Sequence, residues 1–273
     1  AVRVDELGNV FGRRPGRDPD APPVLIGSHL DSQPYGGRYD GQLGVLSALE
    51  TLRALDDEGV ETDRPVEIVN WTNEEGSRFE QAMLGSSVFV GATPVEDALS
   101  LTDGDGTSVA EALADVGYDG DVPCEPRPVD SYLELHVEQG PRLDDGDTSV
   151  GVVEGVFGFA WLEATVHGES DHAGPTTMAS RTDALAAAAD AIQRIHELPN
   201  RLSADAVATV GRIESGPNSI NVIPNETTFT VDVRSYDDDV VDRGVEAVEF
   251  EVATACEREG AAFDLTELWS IAS

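Results

Sequence analysis

In the run Val24-Leu25-Ile26-Gly27-Ser28-His29-Leu30-Asp31, a short apolar stretch behind Pro22 and Pro23 ends in a histidine and an aspartate. It reads as a buried strand over Val24 to Leu30 whose far end delivers His29 and Asp31. The glycine-rich segment Pro34-Tyr35-Gly36-Gly37-Arg38-Tyr39 follows, and it lets the backbone fold back so that Asp40 can meet the same ion as His29. An imidazole and a carboxylate together suit Zn²⁺ or Mn²⁺. Asp31, two residues past His29, lies on the same side of the strand and reads as a partner for its ring.

Two further segments repeat the design. Pro65 to Trp71 is an apolar strand followed by Asn73-Glu74-Glu75-Gly76, and Leu133 to Val137 reads as a strand carrying His136. Between the first two, Val45 to Leu55 has apolar residues at helical spacing. Strand ends that present polar groups to a following loop build a site at the carboxyl edge of an open α/β sheet. Taken singly, a His-x-Asp or a Glu-Glu pair in so acidic a chain is a structural feature or a solvated face. Adjacent carboxylates repel, however, and three such strand ends in one sheet point to a shared cation.

Beyond Gly155 the order is a strand (Trp161 to Val166), a helix (Thr182 to Glu197), two strands (Ala206 to Ile213, Glu226 to Val233), a helix (Asp238 to Glu259) and a strand (Ala262 to Leu268). This β-α-β-β-α-β order is ferredoxin-like. Two domains follow, 1–155 carrying the site and 156–273 as a separate α+β unit. The acidic insert from Leu101 to Gly120 reads as a solvated surface loop and helix. Trp71 and Trp161 read as core, and Cys124 and Cys256 as packed, unpaired residues. His167 reads as an ordinary strand residue and His196 as lying near a helix C-terminus.

Composition narrows the function. The chain has 273 residues, 40% of them hydrophobic, enough for real cores. Its net charge is −36, from 53 acidic residues against 17 arginines and no lysine. Such a field disfavours nucleic acids and anionic membrane surfaces. Schiff-base and P-loop chemistry both need a lysine and are excluded. Acidity spread along the whole chain predicts a surface that stays hydrated in concentrated salt, as in halophilic microbes. Two distant cysteines, no apolar run of membrane-spanning length and no leader predict a cytoplasmic protein. A start without Met and an end directly after a strand predict a fragment of a longer protein.

The motifs Gly27-Ser28-His29-Leu30-Asp31 through Tyr39-Asp40-Gly41, Asn73-Glu74-Glu75-Gly76-Ser77-Arg78-Phe79 and Glu134-Leu135-His136-Val137-Glu138-Gln139-Gly140-Pro141 closely resemble the hydantoinase/carbamoylase branch of the M20 metallopeptidase family. Gly168-Glu169-Ser170-Asp171-His172-Ala173-Gly174 and Asn218-Ser219-Ile220-Asn221-Val222-Ile223-Pro224 extend the resemblance over essentially the whole chain. His136 is diagnostic, because peptidase relatives generally place a carboxylate there.

The resemblance implies a zinc-peptidase-like catalytic domain with a mixed sheet and a ferredoxin-like lid that forms a homodimer. It implies two divalent metal ions, Zn or Mn, with Co or Ni also accommodated. Asp40 would bridge them, His29 and His136 would complete the first site, Glu75 would ligate the second, and Glu74 would be the general base. His172 and Asn221 would meet the carbonyl oxygen and the substrate, Gln139 would line the pocket, and Arg234 would take the substrate carboxylate. Read from its neighbours alone, Arg234 is a surface strand residue paired with Asp232 or Asp237. The implied reaction is hydrolysis of an N-carbamoyl-L-amino acid, a small anionic ureido substrate, by a metal-bridging hydroxide. Allantoate and, from Gln33-Pro34, β-ureidopropionase-type substrates are the alternatives. A more distant one is an M20 aminoacylase or peptidase. Family members continue past the lid with a segment that supplies a last histidine to the second metal, so a truncated, non-catalytic dimerising fragment is a further alternative.

Overall fold

The computed structural model describes residues 1–273 and divides them into two compact units, Ala1–Val150 and Gly151–Ser273. The first unit contains β1 (Val2–Val4), β2 (Val10–Arg14), β3 (Val24–His29), α1 (Gln42–Asp57), β4 (Val66–Trp71), α2 (Leu84–Phe89), α3 (Val95–Ser100), α4 (Val109–Val116), β5 (Ser131–Leu133) and α5 (Arg142–Asp145). Its five strands run in the order β1-β2-β4-β3-β5. β3 is parallel to β4 and β5, whereas β2 is antiparallel to β4, so the sheet is mixed. The parallel trio turns its three carboxyl ends to one edge, and the loops after β3, β4 and β5 therefore converge.

Buried apolar side chains hold that edge rigid. Leu25, Val69, Trp71, Phe11 and Phe89 pack together, with Phe11 and Trp71 edge to face at 5.9 Å. Glu67 is fully buried in β4 and is held by Arg3 and Arg127, an arrangement that satisfies a charge the strand would otherwise strand in the core. α1 lies on β3 through Gly44 and Ala48.

One expectation for this unit is corrected. The third strand is Ser131–Leu133, not Leu133 to Val137, and His136 sits in irregular chain beyond it. The ladder to β3 stops at Ile26–Leu133 because the next side chain, Glu134, accepts hydrogen bonds from Ser28 Oγ and Tyr132 Oη. The insert at Leu101 to Gly120 is the largely exposed loop and helix that the sequence predicts, anchored at two positions. A capping box between Ser108 and Glu111 starts α4, which buries Val109 and Leu113 in the core.

The second unit contains β6 (Gly158–His167), a short 3₁₀ turn (Met178–Ser180), α6 (Ala184–Glu197), α7 (Pro199–Leu202), β7 (Val207–Gly216), β8 (Glu226–Ser235), α8 (Asp238–Glu259) and β9 (Ala262–Ile271). Its antiparallel sheet has the order β7-β8-β6-β9. That is the ferredoxin-like arrangement, and the fold class read from the sequence, α/β with a mixed sheet plus an α+β unit, holds. α6 packs through Ala184, Ala187, Ala188, Ala191 and Ile195, and α8 through Val248, Val252, Ala255 and Cys256. The alanine stripe lets the helix approach the sheet closely. Phe229, with no exposed surface, fills the centre.

Trp161 corrects a further expectation. It stands with Phe159 and Trp269 on the sheet face away from the helices, half-buried, rather than in the core. Cys124 and Cys256 are buried and unpaired. His167 bonds Asp264 across β9 at 2.9 Å, and His196 lies in the last turn of α6. No helix is long and apolar enough to cross a membrane.

Candidate metal centre

His29 ends β3 with its side chain almost fully buried, and Asp40 is buried with it. The glycine between Asp40 and α1 makes this possible. Gly41 has φ +69°, and a Cβ there would lie 2.5 Å from the His29 ring, so no larger residue fits. His29 Nδ1 is 3.0 Å from the carbonyl oxygen of Asp31. A carbonyl only accepts, so Nδ1 carries a proton, and Nε2, the atom a metal would take once its own proton has left, faces inward. His136 repeats the pattern, with Nδ1 at 2.9 Å from the carbonyl of Val137 and Nε2 at 2.8 Å from Asp40 Oδ1. His29 Nε2 is 3.9 Å from that same oxygen. Two imidazole Nε2 atoms thus face one carboxylate.

Glu74 and Glu75 are set by the turn after β4, where Asn73 takes φ +49° and holds the turn through bonds to the carbonyls of Phe79 and Gln81. The Asp31 carboxylate accepts the backbone N–H groups of Glu74 at 3.2 Å and Glu75 at 3.0 Å. Asp31 therefore joins the β3 loop to the β4 loop as well as contacting the His29 ring, at 3.5 Å. Glu74 Oε2 is 3.4 Å from His29 Nε2.

The electrostatics mark the same residues. Burial, with the charges of Glu75, Asp31 and Glu134, pushes Glu74 up to about 7 against the pull of His29. Burial opposes charge on His29, yet the Asp31 hydrogen bond and the charges of Glu74 and Asp31 outweigh it and hold the ring at about 9. Burial and the neighbouring Asp40 carboxylate raise Glu75 as well. One buried oxygen of Glu75, Oε1, has no hydrogen-bond partner.

Ligand atoms of His29, Asp40 and His136 lie within 4.8 Å of one another, as do those of His29, Glu74 and Glu75. Crowded carboxylates, inward imidazole Nε2 atoms and an orphaned buried oxygen are what a pair of divalent cations would satisfy, so the residues fit that group. A cavity of about 620 Å³ lies elsewhere in this unit, lined by Arg13, Arg14, Arg17, Leu49 and Leu52 among others. It shares no residue with the cluster and offers no comparable donor set.

Gln139 donates to Asp40 Oδ2 at 2.6 Å. Sequence reasoning noted Gln33 only for its bearing on the substrate and missed its contact, a donation to Glu75 Oε2 at 3.0 Å, and it missed Glu134, whose charge acts on Glu74. It also missed Asn9, which accepts from the Thr72 N–H and donates to the Gly85 carbonyl, fastening the end of β4 to α2. Glu134 had one available signal, its spacing of two from His136. Gln33 and Asn9 had none.

In the second unit, His172 and Asn221 are neighbours, because His172 bridges to Val222 and the Ala173 N–H donates to the Asn221 carbonyl at 2.9 Å. His172 Nδ1 accepts from the Gly174 N–H at 2.9 Å, which leaves Nε2 protonated and free to donate. Arg234 is held by Asp232 through Nε at 2.9 Å and Nη2 at 2.7 Å, and its guanidinium lies over the Phe159 ring.

A family model described as peptidase family M20/M25/M40 matches residues 25–249. The chain belongs to that family. This M20 chain is 44% identical over 260 residues to the N-carbamoyl-L-amino-acid amidohydrolase of Rhizobium meliloti, a match covering 95% of this chain and 62% of that protein. It is 37% identical over 261 residues to the allantoate deiminase of Arabidopsis thaliana, covering 86% of this chain and 50% of that one. A crystal structure of an amidase of the hydantoinase/carbamoylase family from Burkholderia vietnamiensis matches with a TM-score of 0.93 and 47% identity, over 100% of this chain and 66% of that chain. The resemblance read from the motifs holds, and the M20 chain spans less than two thirds of the length of these relatives.

Proposed function

We propose that the protein is a binuclear metal-dependent amidohydrolase that cleaves the ureido group of N-carbamoyl-L-amino acids, releasing the amino acid, ammonia and carbon dioxide with consumption of one water. The observation that carries this reading is the Asp40 carboxylate set between two imidazoles whose Nδ1 atoms are tied to backbone carbonyls, with Glu74 beside it. His29, Asp40 and His136 would hold one cation and Asp40 with Glu75 the other, and the pair would acidify a coordinated water and polarise the ureido carbonyl. Glu74, raised to about 7, suits both halves of the proton transfer, taking a proton from water and returning it to the leaving nitrogen. Gln139 holds the Asp40 carboxylate in place. His172 Nε2–H is suited to donate to the carbonyl oxygen, Asn221 to bind the ureido group and Arg234 to hold the carboxylate, the last while shared with Asp232.

Allantoate is the second reading, favoured by the Arabidopsis relative and separated from the first by none of these residues. A homodimer formed through the second unit, whose edge strands β7 and β9 are open, belongs to the same proposal, and a monomeric mass in light scattering would contradict it. A reducing cytoplasm suits two buried, unpaired thiols. The test is turnover by metal-loaded protein in high salt of N-carbamoyl amino acids, N-carbamoyl-β-alanine and allantoate. Hydrolysis of the first class supports the reading, and no turnover of any ureido acid overturns it.

A further inference from the structure

In a chain with 53 acidic residues and 17 arginines, an exposed guanidinium readily finds a carboxylate. Arg17, Arg53, Arg64 and Arg78 all do so. Arg181 and Arg243 bond backbone carbonyls instead. Arg38 stands apart, exposed and with no hydrogen bond, ion pair or ring contact.

Its place in the chain makes that meaningful. Arg38 follows Gly37, which has φ +67° and is wedged so closely that a Cβ there would lie 3.2 Å from Asp40 Cβ and 3.3 Å from Ser32 Cβ. The start of the loop is tied by Gln33 to Glu75, and its end is Asp40 itself. The loop bearing Arg38 is thus fastened at both ends to the candidate metal centre. Asp31, Asp40, Glu74, Glu75 and Glu134 gather at that centre, yet Arg38 pairs with none of them. An anionic ureido acid approaching a chain of net charge −36 meets net repulsion, which an uncommitted guanidinium offsets locally. Arg234, in contrast, is already engaged by Asp232.

We propose that Arg38 is a specificity-determining residue that meets the anionic group of the incoming substrate on its approach, ahead of the hold proposed for Arg234, and selects charged over uncharged ureido compounds. The inference deepens the ureido-acid hydrolase reading and rests on it. A guanidinium kept free on a loop tied to the centre supplies a charge-assisted contact that a neutral ligand does not use.

The test compares N-carbamoylglycine with its uncharged amide, using metal-loaded wild type, Arg38→Ala, Arg38→Lys and Arg38→Glu, by steady-state kinetics and by calorimetric binding, with metal content measured in each. In Arg38→Ala the preference for the carboxylate over the amide, as a ratio of kcat/KM or of affinities, falls about tenfold. The loss lies in KM, shrinks with added salt, is partly restored in Arg38→Lys and is larger in Arg38→Glu. An unchanged ratio, or equal losses on both compounds accompanied by loss of metal, overturns the inference while leaving the hydrolase reading intact. A wild type that neither binds nor hydrolyses N-carbamoylglycine overturns both.

Discussion

At the level of single residues, the site is a set of atoms whose protonation is fixed by their neighbours. His29 and His136 each give Nδ1 to a backbone carbonyl and turn Nε2 toward Asp40, which is the tautomer a metal needs. In the metal-free protein the His29 ring is held at about 9, so at neutral pH a cation must displace its proton. Metal binding at pH 7.5 is therefore expected to release protons, and apparent affinity to rise with pH until about 9. Calorimetry in buffers of different ionisation heat reads this directly, and an absence of proton release contradicts it. Glu74→Gln keeps the shape of the base and removes its basicity, and it should lower kcat by about 10²- to 10⁴-fold while metal content is retained. His29, Glu74, Glu75 and His136 were legible because each sits within a few residues of a strand end, and Asp40 because the glycine-rich loop after His29 leads back to it. Gln33, which reaches Glu75 from 42 residues away, was not, because nothing local in the sequence marks a side-chain contact across that separation.

Elements bring these residues together through parallel pairing. β3, β4 and β5 end at one edge, and Asn9, from the loop before β2, locks the last residues of β4 to α2 from behind. Asn9 is fully buried and also bonds Asp5, so Asn9→Ala leaves several of its partners unsatisfied. It should cost about 1–3 kcal/mol of stability in urea unfolding and loosen the Glu74–Glu75 turn. Unchanged stability would mean that the strut is dispensable. The β-α-β-β-α-β order was readable from periodicity, because each of those elements has one covered face. The strand carrying His136 was misplaced for the opposite reason. Its apolar and polar residues alternate on into Leu135 and Val137, but the ladder ends where Glu134 turns its carboxylate to Ser28 and Tyr132. Trp161 misled in a related way, since alternation along a strand does not say which of two apolar faces the helices cover.

For the whole molecule, charge is the governing quantity. With a net charge of −36, the folded chain repels itself at low ionic strength, and added salt screens that repulsion. The unfolding temperature should rise from low salt to molar KCl, and a flat or falling profile would remove the argument for a salt-adapted surface. Against that negative field, the centre at the sheet edge gathers further carboxylates around two histidines, an arrangement that bound cations would stabilise. Anomalous diffraction from crystals grown with Zn²⁺ or Mn²⁺ reads this most directly. The strongest peak should lie between His29 Nε2, His136 Nε2 and the Asp40 carboxylate, with further metal on the Glu75 side of Asp40. Crystals that bind metal elsewhere and leave His29, Asp40 and His136 without a peak would contradict the assignment.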